Sequence, residues 1–154
     1  MTEPEDGFYS AFESKNDNSV FIACGPESGC IALKISGDRL YVVVRGEPKG
    51  EHLVECFRDG LDSGSLRPSM RTLVDLTDFI GTVDWRAILT VRTLAPWGKK
   101  DSGTALTAYV VRNDTFGALI KIIRTLFLGS THRMFDNFQG AIAWLESYER
   151  TKPS

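Results

Sequence analysis

The strongest constraint on the fold is a change of hydrophobic period that recurs along the chain. Ile31, Leu33 and Ile35 alternate with Ala32, Lys34 and Ser36, the period of two that buries one face of a β-strand. Ser36-Gly37-Asp38 is a turn signal, and Leu40-Tyr41-Val42-Val43-Val44 follows as a β-branched run. The two segments predict a hairpin. Gly46 and Pro48 stop its second strand, because proline has no N–H to give a ladder. From Lys49 to Asp62 the period becomes helical, with Leu53, Cys56, Phe57 and Leu61 on one face and Glu51, Glu55, Arg58 and Asp59 left to solvent.

The same alternation of strand and helix then repeats. Thr72-Leu73-Val74-Asp75-Leu76 is nearly continuously apolar, as in a strand covered on both faces. Thr77 to Gly81 is a turn into a helix that Asp84 can cap, with Trp85, Ile88, Leu89 and Arg92 on one side up to Pro96. After a polar loop at Lys99 to Thr104, Ala105 to Val111 reads as a strand. Asn113-Asp114-Thr115 offers caps for a third helix bearing Phe116, Leu119, Ile120, Ile123 and Phe127 on one side. Arg133-Met134-Phe135 is a short strand, and a last helix turns Phe138, Ala141, Ile142, Leu145 and Tyr148 inward. The order β-β-α-β-α-β-α-β-α predicts an α/β fold: a mixed, mostly parallel five-stranded sheet with about four helices and right-handed crossovers. Residues 1–19 are polar and acidic, with Phe8, Tyr9 and Phe12 interspersed, and are expected to form a flexible arm before one domain at 20–150.

Composition narrows the function classes. A chain of 154 residues fits one core. Eighteen Lys and Arg against twenty Asp and Glu leave a formal charge of −2, which supplies no field for nucleic acid or an anionic membrane. No apolar run approaches the roughly 20 residues that span a bilayer. Met1 to Asp6 holds three acids and no basic residue, the reverse of a secretory signal, so a cytoplasmic location is expected. Three cysteines, Cys24, Cys30 and Cys56, fit reduced thiols in that setting.

Few residues carry recognisable chemistry. Only two histidines occur, His52 and His132, and Cys24 and Cys30 are separated by five residues, wider than a zinc knuckle; no metal or cofactor is expected. No Gly-x-Ser-x-Gly elbow, P-loop or dinucleotide fingerprint is present. Asp75 and Asp78 sit three apart near a strand end, which admits acid/base chemistry, although a strand-end Asp commonly bonds backbone N–H groups instead. Trp97-Gly98-Lys99-Lys100 and the cations Arg112, Lys121, Arg124 and Arg133 read as ordinary surface. Ile122, Ile123, Leu126, Phe127 and Leu128 make the third helix more apolar than one sheet face requires. Such an excess marks an interface or a ligand groove, unless the aromatics of the N-terminal arm cover it.

Three segments resemble the SpoIIAA-like family, whose fold is shared by STAS-domain anti-sigma-factor antagonists. Leu40 to Glu47 resembles its second strand, Leu73-Val74-Asp75-Leu76-Thr77 with Gly81 its central strand, and Met134-Phe135-Asp136 with Ala141-Ile142-Ala143-Trp144-Leu145 its closing strand and helix. The resemblance spans about residues 30–149 and rests on core apolars, so it implies fold more than function. STAS antagonists carry an Asp-Ser pair, phosphorylated on Ser, at the helix after the central strand. Here that stretch reads Gly81-Thr82-Val83-Asp84, leaving Thr82 as the nearest hydroxyl and the phosphorylation candidate.

The expected function is a non-enzymatic regulatory or interaction module acting through protein–protein contacts, with self-association through the third helix. The alternative is a small-molecule or lipid-binding domain with an apolar groove between the second and third helices. The candidate ligand or interface residues are Asp75, Asp78, Trp85, Phe116, Ile122, Leu126 and Phe127.

Overall fold

The computed structural model describes residues 19–67, 70–80, 83–94, 105–112, 117–126 and 130–151. Six strands form one sheet: β1 (Val20–Cys24), β2 (Gly29–Ser36), β3 (Arg39–Gly46), β4 (Arg71–Phe79), β5 (Ala105–Val110) and β6 (Ser130–Phe135). Among the described residues, four helices interleave with them: α1 (Gly50–Asp62), α2 (Trp85–Leu94), α3 (Gly117–Leu126) and α4 (Phe138–Thr151). The strands lie side by side in chain order. β1, β2 and β3 pair antiparallel, and β3 through β6 pair parallel.

The sequence predicts five strands, and the sixth is β1. Val20-Phe21-Ile22-Ala23-Cys24 is apolar throughout, so no alternation of polarity marks it as a strand. Exposure alternates nonetheless: Val20, Ile22 and Cys24 are covered while Phe21 and Ala23 face water. The hairpin and the predicted Asp84 cap are found where the sequence puts them, the caps expected at Asn113-Asp114-Thr115 lie outside the described residues, and Asn137 caps the last helix without having been predicted to. Asp84 Oδ1 accepts the Ala87 N–H at 3.2 Å, and Asn137 Oδ1 accepts that of Gly140 at 2.7 Å, each relieving an N–H that the first helical turn leaves unpaired.

The unbroken strand order decides where the helices go. A right-handed crossover between parallel neighbours passes over one fixed side of the sheet, and the order never reverses. The three crossover helices α1, α2 and α3 therefore share one face. α4, which follows the last strand, covers the other. Strand alternation sorts the core accordingly. Tyr41, Val43, Leu73, Leu106, Ala108 and Val110 point to the α4 side, where Ala141 and Leu145 close a fully buried layer. Val42, Val44, Val74, Leu76 and Tyr109 point to the crossover side, which carries two separate clusters.

α1 and α2 are pressed together at their N-terminal ends. A Cβ added at Gly50 would collide with the Asp84 carboxylate and lie 2.9 Å from the Ala87 Cβ. Asp84 cannot swing aside without leaving its cap, so Gly50 is what allows this approach. α2 has α1 as its principal backbone neighbour and few close approaches to the strands. It roofs its sheet face more than it packs on it.

Candidate functional site

Space is left under that roof. A cavity of about 230 Å³ lies between the crossover face of the sheet and the three helices. Its floor is built from Val42 and Val44 of β3, Thr72, Val74 and Leu76 of β4, and Thr107 and Tyr109 of β5. Leu53 and Phe57 of α1, Ile88 and Val91 of α2, and Ile123 of α3 form the cover. Val44 and Val74 occupy central strands yet are only partly buried, whereas Val42 on the same face and Val43 on the opposite one are buried. Interiors are normally packed to crystal density, so partly buried valines at the middle of a sheet mark a face whose cover does not fill it at those positions.

The walls are almost wholly apolar. Three charged residues, Lys49, Arg67 and Asp84, contribute to the lining, and all three are exposed. Thr72 and Thr107 are partly buried in the floor, and two further polar side chains are more fully buried. Tyr109 and His132, from neighbouring strands, are both buried, and the Tyr109 hydroxyl is 2.9 Å from His132 Nδ1. Their rings stack with centroids 5.8 Å apart and planes 27° from parallel. Burial pushes the Tyr109 hydroxyl well above its ordinary range, and the Arg124 guanidinium pulls it back in part. The phenol is thus neutral throughout the physiological range. Arg124 donates to the His132 carbonyl oxygen at 2.9 Å, which ties α3 to β6 beside this pair.

Among the described residues, those singled out from sequence do not gather here. Asp75 is buried on β4 and its Oδ1 accepts both the Thr77 N–H at 3.0 Å and the Thr77 hydroxyl at 2.6 Å. The reason is local: Val43 pairs with Asp75 but Arg45 pairs with Asp78, so β4 carries an extra residue between them. A bulge frees ladder groups, and Asp75 takes one of them. Asp78 is exposed and 3.4 Å from the Arg112 guanidinium. The two carboxylates thus have separate structural partners and do not form an acid/base pair. Trp85 packs against the cluster of Leu76, Tyr109, Val111, Ile120 and Ile123 without lining the cavity. Ile122 is 45% exposed on α3. The side chain of Leu126, and Thr82, Phe116 and Phe127 entirely, lie outside the described residues.

Two of the three thiols, Cys24 and Cys56, are buried. Cys56 is fully buried, its Sγ 3.6 Å from both the Ile22 and Ile31 carbonyl oxygens, and burial drives its thiol far above the usual range. Burial also raises Cys24, and the Glu55 and Asp59 carboxylates add to it. Cys24 lies with those two carboxylates within 4.8 Å, and its raised thiol makes the proton a metal would have to displace harder to remove.

Sequence reasoning missed Tyr109 and His132. Each stands at an inward position of its strand, but their meeting depends on the pairing of β5 with β6, 23 residues apart in sequence. The groove expected between the second and third helices does involve α2 and α3, and α1 supplies a third wall.

No family model matches the sequence, and no curated protein matches it. Among solved structures, the chain is similar to an uncharacterized protein of the DUF3478 family from Shewanella loihica, described as having a SpoIIAA-like fold. The two share 17% sequence identity with a TM-score of 0.56, over 86% of this chain and 98% of the other. An identity so low speaks for architecture alone, and the architecture of this chain is SpoIIAA-like.

Proposed function

We propose that this domain is a non-enzymatic binding module that takes a small apolar molecule between its sheet and its crossover helices. One observation carries the reading: the cavity of about 230 Å³ is walled by side chains of three helices and three central strands. Apolar chambers with a few convergent polar groups are the usual form of a ligand site. An engineered apolar cavity of roughly 150 Å³ accepts benzene, so this one has room for roughly nine non-hydrogen atoms. The separate engagement of Asp75 and Asp78 supports a binding role over acid/base catalysis.

Titration of the full chain with p-xylene, followed by methyl-resolved NMR, tests the proposal. The methyl signals of Val44, Val74, Ile88 and Ile123 should shift with a saturable dependence, while those of Val43 and Ala108 on the opposite face stay in place. No saturable shift at any cavity methyl overturns it.

A second reading, self-association through α3, draws support from Ile122, an isoleucine 45% exposed on a strongly apolar helix. Singly exposed apolar residues are common, so this reading needs its own test. If Ile122→Asp leaves both the fold and the oligomer size unchanged, α3 is not an interface.

A further inference from the structure

The polar pair at the inner side of the cavity sets the chemistry of what it holds. We propose that the site selects an uncharged amphiphile, with an apolar body on Val44, Val74 and Ile88 and a single hydroxyl or carbonyl group bonded to the Tyr109–His132 pair. The proposal rests on the binding reading above and adds to it the identity of the head group.

Both members of the pair line the cavity and both are buried. A buried polar group is costly unless bonded, and an apolar chamber that needed only an apolar occupant would be lined more stably by Phe and Leu at these positions. The bond between Tyr109 and His132 does not exhaust the phenol. A phenol has one donor and two acceptor sites, and a neutral imidazole has one donor nitrogen and one acceptor nitrogen. If the phenol donates to Nδ1, its oxygen still accepts; if Nδ1–H donates to the phenol, the O–H is left to donate. A ligand hydroxyl satisfies either arrangement, and a carbonyl satisfies the second.

Charge on the ligand is disfavoured at this depth. Tyr109 stays protonated because burial raises it, so it offers no counter-charge to a cation. The cationic and anionic lining groups, Lys49, Arg67 and Asp84, are all exposed. Arg124, whose charge acts on the Tyr109 hydroxyl, donates to the His132 carbonyl oxygen and does not line the cavity. A carboxylate or phosphate carried to the pair would lose its water with only the exposed, already engaged Arg124 guanidinium to offset it, which costs more than burying a hydroxyl.

An isosteric pair of probes isolates the head group. p-Xylene and p-cresol have the same shape and differ only by methyl against hydroxyl. A purely apolar cavity prefers p-xylene, because the hydroxyl gives up water for nothing. On the present proposal p-cresol binds the wild-type chain at least as tightly as p-xylene. In Tyr109→Phe the ratio of the two dissociation constants moves by about tenfold toward p-xylene. The wild-type ratio is informative even if the variant does not fold. Preference for p-xylene by about tenfold in the wild type, unmoved in Tyr109→Phe, overturns the polar head group and leaves the binding module standing. Tighter binding of p-toluate than of p-cresol overturns the uncharged head. If neither p-xylene nor p-cresol binds, the binding module itself falls and this inference with it.

Discussion

Replacing Val74 with isoleucine adds one methylene to a side chain that borders the cavity. The β-branch and the strand preference are kept, so the change is read almost purely through packing. In a filled core an extra methylene forces neighbours apart and costs about 1–3 kcal/mol. In open apolar space the same group leaves water and gains dispersion contacts, a stabilisation of about 0.8 kcal/mol. For a chain of this size that is roughly 2–3 °C in Tm. Val43 is the control: it lies one strand over on the opposite face, 3% exposed within the layer of Leu73 and Ala108, and Val43→Ile should destabilise by about 1 kcal/mol or more. Urea unfolding with a shared m-value measures both. Opposite signs for the two substitutions are expected. Destabilisation of Val74→Ile by as much as Val43→Ile would show that the crossover face is filled, and the size argument for a ligand would go with it. The methylene that stabilises should also weaken p-xylene binding, because it occupies the same space.

Two further perturbations test other parts of the structure. Asp75→Ala strands the Thr77 N–H at the bulge and should cost about 1–3 kcal/mol, while Asp75→Asn, which keeps an acceptor oxygen at that position, should cost clearly less; equal urea midpoints would remove the bulge argument. Burial raises Cys56, Tyr41 and Tyr109 in the folded chain, so each holds its proton after the unfolded chain has released its own. Their stabilisation is complete below the unfolded thiol value near about pH 8.5, declines above it, and declines more steeply above about pH 10 as unfolded tyrosines ionise. Urea midpoints should fall over that window, less so at its start in Cys56→Ala, and a flat profile to pH 10.5 would contradict the burial of these groups.

How much of this was legible in the sequence depends on what each feature is made of. The hairpin, the helices and the capping Asp84 are local, written in the spacing of a few neighbours such as Leu53, Cys56, Phe57 and Leu61. β1 was not legible because its outward residues, Phe21 and Ala23, are as apolar as its inward ones, so periodicity had no contrast to report. The role of Asp75 was readable as an alternative, since strand-end carboxylates often bond backbone. The register shift that requires it was not, because a bulge is a property of two strands at once. The site was the least visible part. Periodicity assigns Val44, Val74 and Tyr109 to a face of the sheet, but how well three helices fill that face depends on the approach of α1 to α2 at Gly50. The Tyr109–His132 pair likewise exists only once β5 and β6 are in register.

The one-sided run of crossovers has a consequence for how this chain can vary. Along β3 and β4, odd-numbered positions from Tyr41 to Val43 and at Leu73 look toward α4, and even-numbered ones look toward the cavity. Neighbours in the sequence are therefore strangers in energy, since the sheet itself stands between them. Substitutions of opposite parity share few partners and should combine nearly additively. Even-numbered Leu40, Val42 and Leu76 still belong to buried clusters, so the positions with latitude to change are the partly buried ones between them, Val44 and Val74.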